Sequence, residues 1–121
     1  VSELANQPGE LRIAPVGDLD LVTGESLESE IRRRMSDTTE RVVVDLRGVG
    51  LLDSTGLRVL ITLRNHARRN GHRLALVAGP PPVQRVFRLT ATRGLFDWLE
   101  DPRPPAPDAS TGPPRQDAAP A

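Results

Sequence analysis

Two continuous apolar runs stand out along the chain, Val42-Val43-Val44 and Leu74-Ala75-Leu76-Val77-Ala78. Runs of this kind fit strands buried on both faces, and the β-branched residues of the first strengthen the assignment. Upstream, Leu11, Ile13 and Val16 alternate with other positions as a half-buried strand. Gly17-Asp18 reads as a turn or strand break, and Leu19-Asp20-Leu21 as a second short strand. Elsewhere the spacing is helical. Leu27, Ile31 and Met35, four apart, predict a helix opened by Thr23. Glu25 and Glu28 near its start and Arg32, Arg33 and Arg34 near its end suit the helix dipole.

Leu57, Leu60, Ile61 and Ala67 predict a second helix over about 54–70, stopped by Asn70-Gly71. Val83, Val86, Phe87 and Thr90 share one face of a third helix, with Pro82 in its first turn. Thr92-Arg93-Gly94-Leu95 is a turn. Phe96, Trp98 and Leu99 form a last apolar patch, as a short helix or an extended cover. Strands alternating with helices imply an α/β fold with a largely parallel or mixed sheet.

Composition marks off the ends. Residues 1–8 are polar and read as a flexible lead-in, residues 9–101 as one domain. From Pro102 the chain changes: seven of the last 20 residues are Pro, and none is an apolar residue larger than Ala or Pro. Such a segment cannot repay its ordering entropy and reads as disordered. Sixteen basic and 16 acidic residues give zero net charge, which argues against direct nucleic-acid binding. Cysteine is absent, which excludes disulfides and thiol chemistry. No run is long enough for a membrane span and no signal peptide is visible, so a cytoplasmic protein is expected.

The chemistry concentrates where the 42–46 strand gives way to the second helix. The sequence there is Gly48-Val49-Gly50-Leu51-Leu52-Asp53-Ser54-Thr55-Gly56-Leu57. It reads as a glycine-bearing loop followed by a helix capped by Asp53 or Ser54. A catalytic Ser54 would need a histidine base. His66 lies 12 positions along the same helix and His72 beyond its end, so neither reaches the helix start. Two readings remain for Ser54: a capping hydroxyl, or a phosphorylation site whose catalysis another protein supplies. A helix N-terminus tolerates the roughly −1.5 to −2 charge of a phosphoserine. Thr55 offers a second hydroxyl beside it. Asp18, Asp20, Asp45 and Asp53 make an acidic constellation that reads as a negative docking surface or a Mg²⁺ site. Nothing in the spacing fixes a coordination geometry, so no metal and no cofactor is assigned.

Asp45-Leu46 followed by Leu52-Asp53-Ser54-Thr55-Gly56-Leu57 resembles the STAS domain family, and within it the bacterial anti-sigma factor antagonists. Gly17-Asp18-Leu19-Asp20 matches an upstream family element. Arg73 to Val77 resembles the last central strand, and Val83 to Leu95 the helix and turn after it. The resemblance implies a small mixed sheet of about four to five strands with helices mainly on one side. It implies phosphorylation of Ser54 by an anti-sigma factor that is a serine kinase of the histidine-kinase-like ATPase fold. The unmodified protein would bind that kinase so that the sigma factor is released, and a serine phosphatase would reset the switch. Asp20, Asp53, Ser54, Thr55 and Gly56 would form the partner surface, with no catalytic residue. Two alternatives stand beside this. One is a non-switching STAS module of a lipid-transport or sensory complex, in which Ser54 is only a cap. The other is a small enzyme or nucleotide-binding domain, which the lack of a P-loop or G-x-G-x-x-G fingerprint disfavours.

Overall fold

The computed structural model describes residues 2, 3, 9–101 and 104. Most of the lead-in at 1–8 and of the proline-rich segment at 102–121 therefore lies outside the described residues. The strands are β1 (Ser2–Glu3), β2 (Glu10–Ala14), β3 (Gly17–Leu19), β4 (Arg41–Asp45), β5 (Val49–Leu52), β6 (Arg73–Val77) and β7 (Asp97–Leu99). The helices are α1 (Leu21–Arg34), α2 (Ser54–Arg69) and α3 (Pro81–Leu89), with a single 3₁₀ turn at Arg93–Leu95.

Five strands form the main sheet in the order β1-β2-β4-β6-β7. β1 runs antiparallel to β2, and the other pairs are parallel. In register, Ile13 faces Val44 and Val44 faces Leu76. These residues, with Leu11, Val42 and Leu74, meet Leu27 and Ile31 of α1, Leu60 and Leu63 of α2, and Val83 and Phe87 of α3 in one core. The main sheet and the one-sided helix layer follow the fold class expected. Phe87 closes the far end, edge-on to Phe96 and to Trp98 at centroid distances of 5.6 and 5.0 Å. The patch at 96–99 thus becomes the edge strand β7, entered through the 3₁₀ turn.

Four local expectations are corrected. Gly17-Asp18 is strand, not a break, and 49–52 is strand, not loop: β3 and β5 pair in a second, two-stranded parallel sheet. The first strand ends at Ala14 and is buried throughout Leu11–Ala14, because Arg12 lies under other groups on the face away from the helices. The first helix begins at Leu21, not Thr23. Asp20 is its N-cap, and Thr23 closes a reciprocal box with it: Thr23 N–H donates to Asp20 Oδ1 at 3.0 Å, while Asp20 N–H donates to Thr23 Oγ1 at 2.9 Å. The second helix ends as expected, with Gly71 at φ +79 and His72 N–H donating back to the Ala67 carbonyl.

Candidate functional site

The start of α2 is set by Asp53. Its Oδ1 accepts the Gly56 N–H at 2.8 Å and the Thr55 hydroxyl at 2.6 Å. Asp53 is therefore the cap, and the capping reading of Ser54 is ruled out. Ser54 occupies the first helical position, exposed, and among the described residues no hydrogen bond engages its hydroxyl. Thr55 differs: it is half-buried and its hydroxyl is committed to Asp53.

Gly56 fixes how close the two helix starts come. A Cβ at this position would lie 2.2 Å from the Leu19 carbonyl oxygen and 3.0 Å from Leu52 Cδ1. The backbone at Leu19 also accepts the Asp53 N–H at 3.3 Å. This close approach sets the N-terminus of α2 against that of α1, so both caps, Asp20 and Asp53, share one edge of the molecule. Asp18 joins them, exposed, with its carbonyl accepting the Thr23 hydroxyl at 2.8 Å.

The fourth member of the expected acidic cluster is elsewhere. Asp45 is buried and paired with Arg47, Oδ2 to Nη2 at 2.8 Å. Strand alternation explains the separation. Val42 and Val44 face the helices, so Asp45 shares the opposite face with Val43. Among the described residues no group of three or more acidic or histidine side chains is placed to hold a metal ion.

Three apolar side chains at this edge escaped the sequence reading. Leu21 and Val22 are 52 and 70 % exposed at the start of α1, and Leu51 is 53 % exposed on β5. Two successive apolar residues in a first helical turn cannot both face the core, which is the signal that would have found them. Ser54 follows Asp53 directly, and Asp20 lies close enough to Asp53 to feel its charge.

Hydrogen bonding sets the charge state. The Thr23 N–H and then its hydroxyl hold the Asp20 carboxyl below its ordinary value, against a smaller upward push from Asp53. The Thr55 hydroxyl and then the Gly56 N–H do the same for Asp53. Burial pushes the Asp45 carboxyl up, but the hydrogen bonds and charge of Arg47 outweigh it and leave the group lowered. Groups depressed in the fold stabilise it fully above their unfolded values, near pH 4, and lose that contribution as pH falls through the folded ones. The melting temperature is therefore expected to be flat in pH from neutrality to about 5 and to fall below about 4. A melting temperature that rose on acidification would contradict these assignments.

The STAS domain family model matches residues 2–102. The chain belongs to the STAS domain family. A STAS-domain containing protein of Pseudomonas aeruginosa is 35 % identical over 63 residues, covering 52 % of this chain and 62 % of that protein. The chain thus spans less than two thirds of that relative's length. An anti-sigma-B factor antagonist of Staphylococcus aureus is 28 % identical over 80 residues, covering 66 % of this chain and 74 % of that one. Among solved structures, the anti-sigma factor antagonist SpoIIAA in its unphosphorylated form superposes with TM-score 0.68 at 15 % identity, over 83 % of this chain and 88 % of that one. At that identity the superposition carries the fold and not the role. No helix among the described residues is long and apolar enough to cross a membrane.

Proposed function

We propose that this STAS domain is an anti-sigma factor antagonist gated by phosphorylation of Ser54. The observation that carries the reading is that Asp53 performs the capping, which leaves the exposed Ser54 hydroxyl at the dipole-positive helix end without a hydrogen-bond partner among the described residues. The names of the relatives agree with the role. The partner is an anti-sigma factor serine kinase of the histidine-kinase-like ATPase fold, and a serine phosphatase reverses the modification. The protein is the kinase's substrate and binds it in the cytoplasm; it catalyses nothing itself.

The step balances without a base on this chain. Ser54 Oγ attacks the γ-phosphorus of kinase-bound ATP, the bond to ADP breaks, and the serine proton passes to the kinase. Leu21, Val22 and Leu51 supply aliphatic contact area for the unmodified complex. The phosphoserine then stands beside Asp20 and Asp53, and like charges in a desolvated contact oppose rebinding. Ser54, not Thr55, is the acceptor, because the Thr55 hydroxyl already donates to Asp53.

Incubation with ATP and each serine kinase of that fold from the same genome tests the assignment. One kinase is expected to add about 80 daltons, a single phosphate, to the native chain and to Thr55→Val but not to Ser54→Ala. Uptake that survives in Ser54→Ala, or none with any kinase, would overturn it.

A further inference from the structure

The first two helices differ in how their arginines are satisfied. In α1, Arg32 pairs with Glu28 at 2.7 Å, and Arg33 and Arg34 pair with Glu30. α2 carries Arg58, Arg64, Arg68 and Arg69 and no acidic residue. Arg64 and Arg68 stand four apart, so like charges share one face of the helix and repel. The helix dipole favours cations at this end. It does not explain why Arg73, which belongs to the next strand, closes on the same spot.

That spot is a cavity of about 230 Å³ between the last turns of α2, the start of β6 and the turn into β7; its lining includes Arg64, Arg68, His72, Arg73, Leu95 and Asp97. Two of these groups are held in place. Arg64 Nε donates to the Leu95 carbonyl and Nη1 to Asn65 Oδ1 at 2.9 Å, which leaves Nη2 uncommitted among the described residues. His72 Nδ1 lies 2.7 Å from the Thr39 carbonyl oxygen. A carbonyl only accepts, so Nδ1 carries the proton and Nε2 is the uncommitted nitrogen. Arg68 is exposed and has no ion pair among the described residues. Arg73 reaches Asp97 only at 3.8 Å, with both side chains mostly exposed, a contact of little strength. Three guanidinium groups against one carboxylate leave two positive charges on the lining, in a chain whose net charge is zero.

We propose that this cavity binds a small phosphate-bearing dianion, either inorganic phosphate or a small phosphate monoester. Two net positive charges match a dianion, and guanidinium groups meet phosphate oxygens through paired hydrogen bonds. The contact with the Leu95 carbonyl already orders Arg64, so less side-chain freedom is lost on binding. The cavity is smaller than the range of about 300–1,000 Å³ that takes drug-sized ligands, so the ligand is small. Leu95, 39 % exposed, gives the carbon part of an ester an apolar wall. The site stands toward the other end of α2 from Ser54, at least about 15 Å along the helix axis, and does not rest on the role proposed for that serine.

Sodium phosphate and, separately, glycerol phosphate are titrated into the isotope-labelled full chain at about pH 7.5, where a phosphate monoester is largely dianionic. Sodium chloride holds the ionic strength constant. The backbone amide resonances of His72, Arg73 and Leu95 are expected to shift and saturate, while that of Ser54 stays in place. Arg68→Gln and Arg73→Gln are each expected to weaken binding about tenfold or more, and Ser54→Ala to bind as the native chain does. Tighter binding of glycerol phosphate marks an ester as the ligand and equal binding marks free phosphate; both support the site. Shifts that never saturate with either probe, or native affinity in both arginine variants, overturn the proposal. If neither variant folds, the titration of the native chain alone decides.

Discussion

Ser54→Asp is expected to weaken binding to the cognate kinase by about 100-fold or more, roughly 2.7 kcal/mol, while Ser54→Ala keeps native affinity. The asymmetry follows from where the side chain sits. Removing an exposed hydroxyl that has no hydrogen bond among the described residues costs the fold within about 0.5 kcal/mol. An added carboxylate at the first helical position is welcome in the free domain, because the helix dipole favours negative charge there by about 0.3–1 kcal/mol at exposed sites. In the proposed complex the same carboxylate would lose water beside Asp20 and Asp53. Stability and affinity should therefore separate: urea midpoints close to native for both variants, and affinity lost only in Ser54→Asp. A Ser54→Asp chain that bound as Ser54→Ala does would leave Ser54 outside the interface.

Gly56→Val gives the second large effect, this time on the fold itself. Helix propensity alone would make alanine better than glycine here by about 1 kcal/mol. Packing reverses the sign, because even the first added carbon falls 2.2 Å from the Leu19 carbonyl oxygen and 2.8 Å from its carbon. Those are backbone atoms, so no rotamer change relieves the contact and α2 must lift from the β3–α1 junction. We expect about 3 kcal/mol of lost stability by urea unfolding, and lost kinase binding even where the chain stays folded, since the Asp20 and Asp53 edges separate. Gly94→Ala, where nothing lies within 4 Å of the new carbon, is the neutral control. A Gly56→Val chain as stable as native would show that this close approach is not what sets the edge.

These two sites show how far the sequence could be read. The strands at 41–45 and 73–77 were visible because their apolar runs are buried on both sides. The pair β3 and β5 was not, because each is short, glycine-bearing and half exposed, and their pairing joins residues 17–19 to 49–52. Local pattern carries no trace of such a partner. The serine itself stood out from its neighbours Asp53 and Gly56. Its duty did not, since both Asp53 and Ser54 are good caps and only the Asp53 to Gly56 hydrogen bond chooses between them. Asp45 stands apart from the other carboxylates for a reason already present in the strand: successive residues point to opposite faces, and Asp45 follows Val44, which faces the helices. Asp20 was placed on the partner surface by resemblance. The Asp-x-x-Thr box that makes it a helix cap is legible in the sequence, but the apolar residues Leu19 and Leu21 on either side of Asp20 imitate a strand.

The most direct measurement compares one chain in two states. The native protein, unmodified and then stoichiometrically phosphorylated on Ser54, is titrated against its kinase in the presence of ADP. The account predicts tight binding for the first and at least about 100-fold weaker binding for the second, with circular dichroism unchanged. Equal affinities for the two states would contradict it.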